Sequence, residues 1–151
     1  MSSELLIRPA AAKDAVAIAD IHLVARASAM PWLPVIHSPA EVLAFFQDVV
    51  LPTEFVQVAT KSQIVTGFIS TKDGWVNHLY IAPSAWRGGI GSALIEKAKS
   101  DAKRLQLWTF QQNAAARAFY AQHGFQETEL TDGSNNEERT PDVRMTWARD
   151  S

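Results

Sequence analysis

Cysteine is absent from all 151 residues, which excludes disulfides, thiolate metal sites and a cysteine nucleophile. Long apolar runs are also missing. No stretch reaches the roughly 18 residues that suggest a membrane span, and Met1 to Pro9 lacks the basic segment and apolar run of a signal peptide. Charge of one sign is scarce: the formal net charge is −2, too small to steer a polyanion from a distance. No basic stripe of the kind nucleic acid requires is evident, and no His, Asp or Glu spacing suggests a metal site. These absences lead to the expectation of a cytoplasmic protein without nucleic-acid or membrane partners. The composition itself is that of a globular chain, 47% hydrophobic and 20% charged, too apolar for disorder. Its length suits one domain, residues 1–151.

The order of elements follows from apolar spacing and breakers. Leu5-Leu6-Ile7 before Arg8-Pro9 predicts a strand. Asp14 to Met30 predicts a helix burying Ala15, Ile18, His22 and Ala25, broken by Pro31-Trp32-Leu33-Pro34. Ser38 as N-cap, Pro39 in the first turn and Glu41 at the capping-box position open a second helix, carrying Val42, Phe45, Phe46 and Val49 toward Pro52 as an amphipathic core helix. Strands are expected over Phe55 to Ala59, Ile64 to Thr71 and Trp75 to Ala82, with turns at Lys61-Ser62-Gln63 and Asp73-Gly74. Helical spacing then runs from Gly88 to Leu105, with Ile90, Leu94, Ala98, Ala102 and Leu105 on one side. A strand, Gln106 to Phe110, precedes a helix from Asn113 to His123 that Gly124 ends. Strands at Phe125 to Leu130 and Val143 to Trp147 flank a polar, mobile loop over Thr131 to Asp142. The class is mixed α/β with helices on both faces of a largely antiparallel sheet. The strand–helix–strand unit after Trp75 makes its two strands parallel.

The most informative stretch is Leu79-Tyr80-Ile81-Ala82-Pro83-Ser84-Ala85-Trp86-Arg87-Gly88-Gly89-Ile90-Gly91-Ser92. A strand enters a glycine-rich turn and a helix starts at once. The first N–H groups of a helix lack internal partners, and the helix dipole adds positive character there. Glycines remove the side chains that would keep a diphosphate away. On the residues alone, the same turn serves equally well for tight packing. It is not a Walker loop, since no Gly-Lys-Ser/Thr ending follows. Leu94 stands where a dinucleotide fold needs its third small residue.

The stretch resembles the pyrophosphate-binding motif of the GNAT acyltransferase superfamily, the GCN-type N-acetyltransferases: Gln/Arg-x-x-Gly-x-Gly/Ala after a Leu-Tyr-Val-x-Pro strand. Gly89 and Gly91 match the glycines, and Leu79-Tyr80-Ile81-x-Pro83 matches the strand. Trp86 departs from the pattern, standing where Gln or Arg is usual, with Arg87 beside it. A second block, Asn113-Ala114-Ala115-Ala116-Arg117-Ala118-Phe119-Tyr120 through Gly124-Phe125, is similar to the family's Asn-x-x-Ala-x-x-Phe/Leu-Tyr-x-x-x-Gly-Phe signature. Asn113 also fits a plain helix cap, and Phe119 a core position.

The resemblance implies the acyl-CoA N-acyltransferase fold, a seven-stranded sheet with a splayed parallel central pair. It implies acetyl-CoA as co-substrate, no metal, and direct acetyl transfer to a small-molecule or peptide amine; it leaves a homodimer possible. The cofactor would lie against Leu79, Tyr80, Ile81, Trp86, Arg87, Gly88, Gly89, Ile90, Gly91, Ser92, Asn113, Ala116, Phe119 and Tyr120. Tyr120 would donate a proton to the departing thiolate. The Leu79 N–H would meet the oxyanion, and backbone groups of Leu79 and Ile81 would hold the pantetheine arm. His78 titrates in the range a general base needs, and a base relayed through water fits as well. His22 and His37 fit structural roles or the acceptor side. Trp32, Trp75 and the Pro31–Pro34 turn are candidates for the acceptor pocket. The acidic Asn135-Asn136-Glu137-Glu138-Arg139 run suits either a solvated loop or a lid facing a cationic acceptor. Two rival classes keep the diphosphate site without the chemistry: a non-catalytic acyl-CoA sensor, and an unrelated nucleotide-phosphate binder.

Overall fold

The computed structural model describes residues 4–149. Seven strands form one sheet in the order β1-β2-β3-β4-β5-β7-β6. In chain order the strands are β1 (Leu5–Pro9), β2 (Phe55–Lys61), β3 (Ile64–Lys72), β4 (Trp75–Ile81), β5 (Arg104–Phe110), β6 (Gln126–Leu130) and β7 (Asp142–Ala148). The helices are α1 (Ala15–Ala29), α2 (Pro39–Phe45), the short α3 (Leu51–Thr53), α4 (Ile90–Ser100) and α5 (Ala114–Gln122). Both hairpin turns use the left-handed backbone that two-residue loops need: Ser62 and Gln63 between β2 and β3, Asp73 and Gly74 between β3 and β4.

The sheet is antiparallel except between β4 and β5, which run parallel and register only at Trp75 and Gln106. Beyond that point the two strands part. Because β2 and β3 show alternate side chains to opposite faces, two cores form. Ala59 and Ile69 pack with Ile90, Leu94 and Ile95 of α4, while Val58 and Phe68 pack with Ile18 of α1, Val42 of α2 and Phe46. Helices therefore cover both faces, as the resemblance implies. At the edge, Asp14 accepts two hydrogen bonds from Arg8 (2.8 and 3.0 Å) and one from the Ala11 N–H, joining β1 to α1. The Arg8 guanidinium holds the Asp14 carboxyl below its ordinary pKa.

Three expectations need correction. The helix placed over Gly88 to Leu105 is shorter, Ile90–Ser100. Tight turns donate Asp101 N–H to Ala98 O and Ala102 N–H to Lys99 O, and Arg149 caps the Lys99 and Ala102 carbonyls at 2.7 and 2.9 Å. Leu105 continued the helical spacing by coincidence and is buried from β5. The second helix widens after Phe45 into a π-turn, Phe46–Val50. That wider turn keeps Val42, Phe46 and Val50 in line toward the core and swings Phe45 and Val49 outward, 43% and 46% exposed. The Thr131–Asp142 segment, expected to be mobile, is laced together: Asn136 donates to Thr140 O and to Asp142, Gly133 N–H reaches Thr131, and Glu138 binds Arg26 of α1 at 2.7 Å.

Gly67 fixes how closely β3, β4 and α4 approach. A Cβ there would lie 2.6 Å from Ile81 Cδ1, 3.1 Å from the Tyr80 carbonyl and 3.3 Å from Ile90. Gly67→Val is expected to cost about 1–3 kcal/mol of stability by overpacking, measured by denaturant unfolding; an unchanged midpoint would show that the three elements are not locked at this point.

Candidate functional site

The site begins where β4 leaves β5. Ala82 N–H donates to Thr66 O at 2.8 Å, and the register pairs Tyr80 with Phe68 and Ile81 with Gly67. In an antiparallel ladder only alternate residues bond to the same neighbour. Tyr80 and Ala82 therefore bond to β3, and the backbone groups of Leu79 and Ile81 turn the other way, toward the gap left by β5. One of them is engaged: the Trp86 indole N–H donates to Ile81 O at 2.8 Å. Trp86, the departure from the family motif, thus ties the glycine turn back onto β4.

The turn then enters α4. Gly89 caps the helix at φ 79°, and a Cβ there would meet nothing within 4 Å. The space that a side chain at Gly89 would fill is open. At Gly91 an added Cβ would touch Phe119 at 3.4 Å, so this glycine lets α5 pack closely on α4. Lys61, at the end of β2, brings its ammonium 3.7 Å from a Cβ built at Gly88. Sequence reasoning missed Lys61, because the β2–β3 hairpin carries it to the loop from far away along the chain. The Ser92 hydroxyl is bonded to His123 Nε2 at 3.0 Å, and His123 Nδ1 to Glu96 at 2.6 Å.

A cleft of about 650 Å³ runs from this turn between α1 and α5, lined by Leu79, Ile81, Trp86, Arg87, Gly91, Ala116, Phe119 and Tyr120. It continues into a space of about 110 Å³ between the parted strands, where Tyr120, Leu79 and Asn113 line both. Asn113 Oδ1 accepts the Ala116 N–H at 3.1 Å, so the residue is a helix cap as well as a wall of the cleft. Burial pushes the Tyr120 hydroxyl well above its ordinary pKa, and nearby Tyr80 pushes the same way. The phenol therefore stays protonated at neutral pH.

A β-bulge decides where His78 points. The register steps from Ser70↔His78 to Thr71↔Val76, leaving Asn77 as the extra residue. Val76 packs into the core on the α4 side, and His78, two residues on, emerges on the opposite face. Its ring meets Phe46 at 5.1 Å, His22 at 5.9 Å and Phe45 at 6.0 Å. His78 lines both the inter-strand space and a second cavity of about 600 Å³ formed with α2 and the 131–141 loop. Burial lowers the His78 pKa to about 4 and the His22 pKa to about 3. His22 Nδ1 and Ser70 Oγ are buried without a hydrogen-bond partner.

The other candidates sort accordingly. His37 sits at the cavity's edge, bonded to Glu137 at 2.9 Å. Pro31 lines a neighbouring hollow with His22 and His37, whereas Trp32 packs edge-on to Phe110 at 6.2 Å. Trp75 lies at the closed end of the strand pair, away from the cavity that His78 lines. The Pro39–Val50 helix is more than a core helix, because Phe45 and Val49 wall this cavity. Among the described residues, no group of three or more His, Cys, Asp or Glu is placed to hold a metal ion, and no helix is long and apolar enough to cross a membrane.

Comparison with known proteins agrees with this architecture. The family profile described as an acetyltransferase (GNAT) domain matches residues 52–127, half of the chain. The chain belongs to the GNAT acetyltransferase family. Solved structures share its fold. A GCN5-related N-acetyltransferase from Rhodopseudomonas palustris aligns with TM-score 0.79 at 21% identity, covering 99% of this chain and 98% of that one. The PaiA N-acetyltransferase of Thermoplasma acidophilum, solved with coenzyme A, aligns with TM-score 0.77 at 18% identity over 97% and 99% of the two chains. YncA of Salmonella typhimurium, solved with acetyl-CoA, aligns with TM-score 0.72 at 21% identity over 99% and 96%. No curated protein sequence matches the chain.

The buried imidazoles have a measurable consequence. Unfolded, each binds its proton near pH 6.5; folded, His22 does so near 3 and His78 near 4. Between these limits the unfolded chain holds more protons, so stability falls as pH drops below about 6.5. His22→Phe removes one such group and the unpartnered nitrogen. It is expected to raise stability at pH 7 by ~1 kcal/mol and to flatten the acid loss, measured by urea unfolding from pH 7 to 4. An unaltered acid slope would contradict this.

Proposed function

We propose that the chain, acting as one domain, transfers an acetyl group from acetyl-CoA to a primary amine by direct attack with both substrates bound. The observation that carries the reading is the gap between β4 and β5, which opens at one end on the glycine turn and at the other on Tyr120 and His78. The N–H groups of Gly88, Gly89, Ile90, Gly91 and Ser92 at the α4 start, with Arg87 and Lys61, supply the donors and positive charge a diphosphate needs. That local charge answers how a chain of net charge −2 holds a polyanion. The Leu79 and Ile81 amides facing the gap suit the amide groups of a pantetheine arm, and the Leu79 N–H suits the oxygen that gains charge during transfer. Trp86, by occupying the Ile81 carbonyl, stiffens the strand end instead of adding a charge of its own.

In the transfer a C–N bond forms, the C–S bond breaks, and the amine loses one proton as the thiolate leaves. An alkylamine with a pKa near ~10.4 must reach the thioester uncharged. His78 is neutral above its pKa of about 4, so it accepts a hydrogen bond from the amine and passes the proton on to water without retaining it. Tyr120 remains protonated and donates to the sulfur. With its pKa above that of a thiol, it acts as a hydrogen-bond donor that stabilises the thiolate, and full proton transfer is uphill.

Thiol release from acetyl-CoA across a panel of primary amines tests the function. Turnover with at least one amine class is expected. Tyr120→Phe is expected to lower kcat roughly 10²-fold with little change in the KM for acetyl-CoA. Binding of acetyl-CoA without turnover on a broad panel would instead favour a sensor, and competition by ATP with no affinity for coenzyme A would favour a nucleotide-phosphate binder.

A further inference from the structure

The second cavity, beside His78, has a chemistry of its own. Its inner end is buried and uncharged: His22, only 8% exposed, lies against Phe46 and Tyr80, with ring separations of 5.1 and 4.7 Å. Phe45 and Val49, turned outward by the π-turn, give it an apolar wall. Its outer edge is acidic. Besides its histidines, the cavity sets Glu41, Asp48, Glu137 and Glu138 against Arg26, four carboxylates to one guanidinium. Glu138 is matched by Arg26 at 2.7 Å and Glu137 is bonded to His37 at 2.9 Å, which leaves the edge with more carboxylates than guanidinium or ammonium groups. Their cost is tolerable in water and falls further when a mobile cation sits among them.

An independent observation points to a ligand at the inner end. His22, which lines the cavity, has its Nδ1 buried without a partner. Buried polar atoms are nearly always satisfied in folded proteins, and exceptions gather where something else binds. An uncharged amine offers both donors and an acceptor to neutral imidazoles. The same group carrying a charge is disfavoured there, because the burial that keeps His22 and His78 uncharged also penalises a buried ammonium. A volume of about 600 Å³ suits a small molecule.

We propose that this cavity is the acceptor pocket and takes an apolar-bodied diamine, one amine reaching His78 uncharged and the other remaining an ammonium among Glu41, Asp48 and Glu137. This rests on the acetyl-transfer reading for the reaction, but the recognition itself does not. The apolar wall selects the body, the acidic edge selects the second cation, and the separation between them selects its length. An amine carrying a carboxylate at the far end is repelled.

Three probes of one shape decide it: 1,4-bis(aminomethyl)benzene, 4-ethylbenzylamine and 4-(aminomethyl)benzoate. Each is titrated by calorimetry with coenzyme A present and absent, then assayed with acetyl-CoA. The diamine is expected to exceed the monoamine in kcat/KM, and in affinity, by ~10-fold, with the carboxylate weakest. Asp48→Asn and Glu137→Gln should each cut that preference about two- to threefold, and salt near 0.5 M should erode it. Diamine binding with this preference but no acetylation of any probe supports the pocket and sinks the acyl-transfer reading. Acetylation of all three at equal efficiency, or no binding of the diamine in either state, overturns the pocket.

Discussion

The structure depends on one missing interaction: β4 and β5 start out as a parallel pair and then stop pairing. After Trp75 meets Gln106 the two strands diverge, and backbone groups that a continuous sheet would consume are left facing a gap. Unpaired amides inside a protein are costly unless a partner arrives. The rest of the molecule serves to keep that gap open and lined. α4 and α5 close around it through the Gly91–Phe119 contact, and Gly67 lets β3 and α4 hold β4 from behind. Trp86 anchors the turn to the strand at Ile81.

The bulge at Asn77 is the second determinant. Without the extra residue, His78 would share a face with Val76 and lie in the α4-side core. With it, His78 stands between the inter-strand space and the acidic cavity. The π-turn at Phe46–Val50 works in the same direction, keeping Phe46 in the core while presenting Phe45 to His78. Two local irregularities, one in a strand and one in a helix, thus build the side of the molecule where an acceptor would enter. The Arg26–Glu138 pair fastens the 131–141 loop across it.

Much of this was legible in the residues. The hairpin turns, the Ser38–Glu41 capping box, the glycine-initiated α4 and the Asn113 cap all have short-range causes, and they appear where spacing put them. The order of elements and the two motif blocks were enough to identify the family. What was not legible depends on register or on distant chain segments. A bulge is invisible in an apolar pattern that reads the same with one residue inserted, so the direction of His78 was open. The π-turn hid because Val42, Phe45, Phe46 and Val49 fit an ordinary helix. Leu105 extended the α4 spacing by chance across a helix end that Arg149 caps from the far end of the chain. Lys61 reaches the glycine turn only because β2 and β3 form a hairpin over it. Trp75 looked like a pocket aromatic because aromatics favour binding sites, but it stands where the strands are still paired.

Residue-resolved amide hydrogen exchange, with and without coenzyme A, tests the central claim most directly. The amides of Leu79 and Ile81 should exchange quickly in the free protein and become protected when coenzyme A is added, while the Tyr80 amide, bonded to β3, should be slow in both states. Slow exchange at all three residues in the free protein, or no change at Leu79 and Ile81 with the ligand saturating, would contradict it.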